Sequence, residues 1–389
     1  MPTLTHLIAL PSLLWPALLV TLTGCSGCGT TNASQGGSPS QAAAERFSRS
    51  PSDTLTYRGF TFAHEAYDGK RGYGGASVGP SMDSLASLHV NAVALVPYTF
   101  MREPDVPVEL PIAERLGMET DTALVHSTRE AHARGWTVML KPQIWLGGGH
   151  WPGDVAFDTN EEWEAWFQHY SDWMLHYARF AERHNIAALC IGTELGQTTL
   201  QHPEFWRKLI KDVREVYSGK LTYAANWGEE FEGITFWSEL DALGCNGYYP
   251  LSQNPQATDA ELYEGAKQWL MKANNIAAGA QRPLWLTEIG YRSVRASWID
   301  PHAAPNRREV SESCQRRSFE ALFAATAEAP LLDGMFIWKW PSYLGHGYQP
   351  LGKLQDSERA QEGEGPKGYA PGGKEAAEVV KRYYAGARL

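Results

Sequence analysis

From Tyr57 onward the chain alternates short apolar runs with longer amphipathic stretches, and that alternation leaves few ways to fold. Eight runs have the length and apolar content of buried strands: Gly59–Ala63, Ala92–Val96, Thr137–Pro142, Ala187–Ile191, Lys220–Ala225, Ala242–Asn246, Leu284–Thr287 and Gly334–Trp338. Strands apolar on both faces need cover on both sides, which calls for a parallel sheet with helices packed outside it. The stretches Glu161–His184, Pro203–Tyr217, Asp259–Asn274 and Glu312–Ala327, with Lys374–Ala385 closing the chain, are expected to supply helices. Asp158-Thr159-Asn160 before Glu161 and Glu162 puts a cap and acidic charge where the first of these starts. An open doubly wound sheet also alternates strand and helix. Eight units in about 330 residues fit closure into a single (β/α)8 TIM barrel better, and no GxGxxG follows the first strand, as a dinucleotide fold requires.

The residues before the barrel are of another kind. Pro2 to Val20 is apolar and free of Lys, Arg, Asp and Glu, and Leu22-Thr23-Gly24-Cys25 follows it. This resembles the lipobox of bacterial lipoproteins, which implies a signal peptide at 1–24, cleavage before Cys25 and acylation of its thiol. Pro11 and Pro16 interrupt a stretch barely long enough to span a bilayer, so it reads as an address. Residues 25–53 are rich in Ser, Gly, Gln and Ala, too polar to fold alone, and are expected to tether the barrel domain, 54–389. The expectation is therefore an exported protein, lipid-anchored to a bacterial membrane at its periplasmic face or at the cell surface, touching that membrane only through the lipid.

The net charge of −10 argues against a nucleic-acid partner. Cys190 and Cys245 fall in strands four and six, with a whole strand or roughly 9–10 Å between them, beyond disulfide reach. They are expected to be buried thiols. No HExxH and no CxxC in a metal-site context is present, so neither a metal nor an organic cofactor is expected. Gly147-Gly148-Gly149 opens no helix and reads as a loop.

Two of the apolar runs end on a carboxylate that a core has no use for. They are Ile191-Gly192-Thr193-Glu194-Leu195 and Leu286-Thr287-Glu288-Ile289-Gly290-Tyr291. Each glutamate falls where a strand hands over to its loop, at the barrel face that carries chemistry. The two are 94 residues apart, three βα units, which puts them at the ends of strands four and seven. Two carboxylates facing one cavity are the minimal apparatus for cleaving a glycosidic bond. Lys141 on strand three is costly inside a barrel unless used, so it is expected to bind sugar hydroxyls. Glu65 after strand one is a further candidate contact. Of fifteen tryptophans, Trp163, Trp166, Trp173, Trp206 and Trp269 fall in helices and are expected to pack in the core. Trp145, Trp151, Trp227, Trp338 and Trp340 fall at strand ends or in adjacent loops, where a flat apolar ring suits a pyranose face. Alternation along a regular strand puts Trp338 and Trp340 on one side and Lys339 on the other. Gly290 leaves room beside Glu288 for a sugar ring.

In these segments the chain resembles the clan A glycoside hydrolases and, within them, glycoside hydrolase family 113, the β-mannanases. The resemblance is carried by Lys141-Pro142-Gln143-Ile144-Trp145, Gly192-Thr193-Glu194, Asn226-Trp227, Tyr248-Tyr249-Pro250, Thr287-Glu288-Ile289-Gly290-Tyr291 and Trp338-Lys339-Trp340, and runs from about Tyr57 to the C-terminus. It implies a retaining endo-β-1,4-glycosidase acting on mannan-type oligo- or polysaccharide, with Glu194 as acid then base and Glu288 as nucleophile. Tyr248 then hydrogen-bonds the nucleophile. Most of the clan has asparagine just before the acid/base, for the sugar 2-hydroxyl; this chain has Thr193, and Asn226 is the candidate replacement. Two other readings share these residues: another clan A β-glycanase such as a glucanase, and a glycan-binding surface lipoprotein that kept the barrel without catalysis. A monomer is expected in each case.

Overall fold

The computed structural model describes residues 55–64, 70–115, 117–305, 307–344 and 365–386. The expected signal peptide, the tether with Cys25, and Glu65 lie outside the described residues. Among the described residues ten strands form: β1 (Tyr57–Ala63), β2 (Ala92–Leu95), β3 (Tyr98–Met101), β4 (Thr137–Leu140), β5 (Gln143–Leu146), β6 (Ala188–Thr193), β7 (Lys220–Asn226), β8 (Leu243–Asn246), β9 (Leu284–Ile289) and β10 (Leu332–Pro341). Eight close a barrel in the order β1-β10-β9-β8-β7-β6-β4-β2, every pair parallel. The expected (β/α)8 barrel is thus the observed architecture.

Side chains divide by strand parity. Ala92, Ala94, Met139, Ala188, Cys190, Ala224, Trp285 and Phe336 form a cluster inside the barrel. Their neighbours Val93, Leu95, Val138, Leu140, Leu189 and Leu286 join the larger core between barrel and helices. Small residues dominate the inner set because eight strands leave little room at the axis.

The helices of the outer layer are α1 (Val78–Ala86), α2 (Asp121–Ala133), α3 (Asn160–Arg183), α4 (Gly196–Gln201), α5 (Pro203–Arg214), α6 (Glu229–Gly233), α7 (Asp259–Ala280), α8 (Glu312–Ala325) and α9 (Glu375–Tyr384). Thr159 caps α3 and Thr258 caps α7, each with a glutamate three residues on in a reciprocal capping box. Trp163, Trp166, Trp173, Trp206 and Trp269 are buried, as expected of core residues. Cys190 and Cys245 are buried free thiols, and β7 separates their strands.

One feature differs from the sequence expectation. The second and third runs do not stop at Val96 and Pro142. They resume beyond Pro97 and Pro142 as β3 and β5, a separate two-stranded parallel sheet with Phe100 opposite Trp145. A proline cannot donate to the ladder, so each barrel strand breaks there and the chain restarts at a new angle. The pair continues from the C-terminal ends of β2 and β4. Gly147–Gly149 after it is a short 3-10 turn, with Gly148 and Gly149 left-handed.

Candidate active site

Regular strands would not deliver the two glutamates to one place; two irregularities do. Along β9 the pairing with β8 jumps from Cys245 opposite Leu286 to Asn246 opposite Glu288. Such a bulge lets two successive residues both turn inward. Thr287 Oγ1 donates to Asn246 Oδ1 at 3.0 Å, and Glu288 reaches the cavity beside it. Along β6 the register slips between Cys190 and Thr193, and Glu194 then adopts a left-handed φ of 54°. That conformation is strained for a residue with a Cβ and needs support. The Glu194 N–H donates to Ala224 O at 2.9 Å, and the Leu195 N–H donates to Tyr223 Oη at 2.7 Å. Tyr223 in turn donates to Glu230 Oε1 at 2.6 Å. Gly192, two residues earlier, is needed because a Cβ there would run into the rings of Tyr223 and Trp206.

Glu194 and Glu288 line one cavity of about 520 Å³ with Gln143, Trp145, Thr193, Asn246 and Trp338. Their partners differ in kind. Glu288, 7% exposed, accepts from Lys141 Nζ and from Gln143 Nε2 (3.2 Å) on Oε1, and from Tyr248 Oη (3.0 Å) on Oε2. Glu194 has no ion pair among the described residues. It accepts from Asn246 Nδ2 on Oε1 at 2.8 Å and from Trp151 Nε1 on Oε2 at 2.6 Å. Burial, and then the charge of Glu288, raise its pKa above the ordinary carboxylate value; the Asn246 amide, the Trp151 indole N–H and Lys141 pull the other way without reversing it. One carboxyl has a cation against it, and the other is buried beside a like charge that raises its pKa, an asymmetry of the kind that acid–base pairs need.

The strand end Asn246-Gly247-Tyr248 serves both. Residues two apart share a side, so Asn246 reaches Glu194 and Tyr248 reaches Glu288. Asn246 carries no weight in a sequence reading centred on Thr193 and Asn226. Its alternation with Tyr248 is the signal that could have found it. Glu230 is also absent from that reading. It is 4% exposed, accepts from Asn226 N (2.7 Å), Tyr223 Oη and Thr199 Oγ1 (3.1 Å), and burial pushes its pKa up to about 7.

Several candidates sit elsewhere than expected. Lys141 is fully buried and paired with Glu288, so it acts on the carboxylate and is not free to bind sugar hydroxyls. Asn226 lies outside the cavity lining, with its backbone N–H spent on Glu230. Trp227 packs against Tyr249 and His302 and does not line the cavity. Trp340 is no sugar platform: it is 1% exposed, edge-on to Phe60, with Nε1 donating to Ser81 O and Oγ. Along β10 the pairing with β1 jumps from Phe60 opposite Ile337 to Phe62 opposite Trp340, so the regular alternation that paired Trp338 with Trp340 does not hold. Gly290 makes room not for sugar but for β10, since a Cβ would strike the Trp338 carbonyl. Trp338 and Trp145 do line the cavity, with Lys141 Nζ 5.6 Å from the Trp338 ring centroid. Among the described residues no group of three or more His, Cys, Asp or Glu side chains is placed to hold a metal ion.

A sequence model described as Glycoside Hydrolase Family 113 matches residues 60–355. No curated protein matches the chain. Among solved structures, a family 113 β-mannanase from Alicyclobacillus acidocaldarius in complex with ManMIm is 30% identical, with a TM-score of 0.71, covering 86% of this chain and 99% of that one. A second family 113 β-1,4-mannanase, also a complex, is 23% identical at a TM-score of 0.71 over the same shares. A family 5 mannosidase from Rhizomucor miehei is 13% identical, TM-score 0.59, over 86% of this chain and 93% of its own, and shares the fold.

Proposed function

The chain belongs to glycoside hydrolase family 113, and we propose that it is a retaining endo-β-1,4-mannanase working by double displacement between Glu288 and Glu194. The observation that carries the mechanism is the unlike surroundings of two carboxyls in one cavity. In this reading Glu288 Oε2, which has a single donor, keeps a lone pair for the anomeric carbon. As that bond forms, the glycosidic C–O bond breaks and its oxygen takes the proton of Glu194. Water then enters, gives a proton to Glu194, and its oxygen displaces Glu288 from the anomeric carbon. Lys141 and Gln143 hold the nucleophile in place throughout.

Trp338 is the platform for the reactive sugar. Thr193 is buried and borders the same cavity, which suits its hydroxyl to a sugar hydroxyl beside Glu194. The choice of mannan rests on the family and on the mannanases that resemble the chain.

The test is to incubate the domain from Thr54 with mannan, glucomannan, cellulose and xylan and to size the products. Mannan and glucomannan are expected to fall to short oligosaccharides, with the β-anomer released first. An α-anomer would exclude retention, cleavage of cellulose alone would favour the glucanase reading, and binding without hydrolysis would favour a lectin-like role.

The same proposal includes export and lipid attachment at Cys25, supported by Leu22-Thr23-Gly24-Cys25. The full chain expressed in bacteria is expected in the membrane fraction, and Cys25→Ala in the soluble fraction. Unchanged membrane association of the variant would remove the lipid anchor.

A further inference from the structure

The small sheet β3–β5 has one buried and one exposed face. Thr99, Met101, Ile144 and Leu146 are buried, while Tyr98, Phe100, Gln143 and Trp145 point outward. That outward face begins at the chemistry, because Gln143 donates to Glu288. Two residues further along β5, about 6.6 Å, stands Trp145, 63% exposed and edge-on to Tyr98 with centroids 6.1 Å apart. Across the ladder from Trp145 is Phe100, 52% exposed. Beyond them lies a second cavity of about 630 Å³, within the size range of small-molecule sites. Tyr98 and Trp145 line both cavities, so they form a shared wall.

We propose that this second cavity is a distal sugar subsite, occupied by the same glycan chain that threads the catalytic cavity and passes over Tyr98 and Trp145. The proposal rests on the glycan-cleaving reading above, not on mannose as the sugar. The lining fits a pyranose chain, which presents apolar ring faces and hydroxyl edges. Phe100 and Ile112 offer apolar surface, and Glu114 and Arg115 give an exposed charged rim. Glu119 forms the inner wall, 1% exposed, its carboxyl without a partner from another residue. Burial pushes Glu119 up to about 7, so near neutrality it serves as both donor and acceptor. Two exposed aromatics on a hydrogen-bonded strand pair, next to a catalytic cavity, are placed more rigidly than a loop would allow.

The test compares the domain with Ala113→Trp, which fills the cavity, and Phe100→Ala, which removes part of its wall. Each is assayed on a series of oligosaccharides of increasing length, in the sugar that the polysaccharide panel selects. In the unaltered domain kcat/KM is expected to rise with length until the distal subsite is filled. Both variants should lose about tenfold on the long members, and keep the unaltered rate on the shortest cleaved member. Equal losses at all lengths, or an unchanged length dependence in both variants, would overturn the subsite. If the unaltered domain cleaves no member, the activity itself is misassigned and the subsite falls with it; if it cleaves short members alone, only the subsite falls.

Discussion

Glu288→Gln is expected to abolish turnover of polysaccharide, by about 10⁴-fold or more, while leaving a folded protein. An amide keeps the shape of the carboxyl and one acceptor oxygen, for Lys141 or for Tyr248 but not for both, and it has no anionic oxygen to attack an anomeric carbon. Glu288→Ala should lose as much activity and more stability: both variants take the counter-charge from the fully buried Lys141 ammonium, but the alanine also removes its hydrogen-bond acceptor and leaves a void. Removing one partner of a buried pair costs about 3–5 kcal/mol. The two variants therefore separate chemistry from folding: their midpoints in chemical denaturation should differ while their rates are equally low. Activity in Glu288→Gln above about one hundredth of the unaltered rate would exclude Glu288 as nucleophile.

The barrel is legible in the sequence because its determinants are local. Each strand is a short apolar run, the two longest helices carry their own caps, and closure follows from the number of units. The positions of Glu194 and Glu288 at the ends of the fourth and seventh barrel strands are legible for the same reason. What aims them is not. The register slips at Cys190–Thr193 and Leu286–Glu288 depend on neighbouring strands, and no periodicity within β6 or β9 records them. The partner of Lys141 is 147 residues away in the chain, so a buried lysine reads as a ligand for substrate until the fold brings Glu288 to it. Trp340 fails for a related reason: its assignment assumed unbroken alternation through Trp338 and Lys339, where the register against β1 slips. The second and third apolar runs, taken to end at Val96 and Pro142, give no hint that strands restart beyond Pro97 and Pro142 and become the wall of the site.

Glu194→Ala is expected to act on a different part of the reaction, and its signature lies in substrate and pH dependence. General acid catalysis is worth about 10²–10⁴-fold, so mannan hydrolysis should fall by that amount. An aryl glycoside whose leaving group needs no proton should still form the glycosyl-enzyme at close to the unaltered rate. Release from Glu288 then lacks its base, so the covalent intermediate should accumulate and appear as a burst of phenol followed by slow turnover. The pH profile has a definite sign. Burial and the charge of Glu288 raise the Glu194 pKa, so the group is protonated below that value and loses its proton as pH rises through it. Activity on mannan in the unaltered enzyme should therefore decline on the alkaline side as the acid ionises, and that limb should flatten in Glu194→Ala. Asn246→Ala and Trp151→Phe each remove a donor that favours the ionised form, so both should move the limb to higher pH without erasing it. An equal loss on mannan and on the activated glycoside, with the alkaline limb intact, would mean that Glu194 shapes the site and another group supplies the proton.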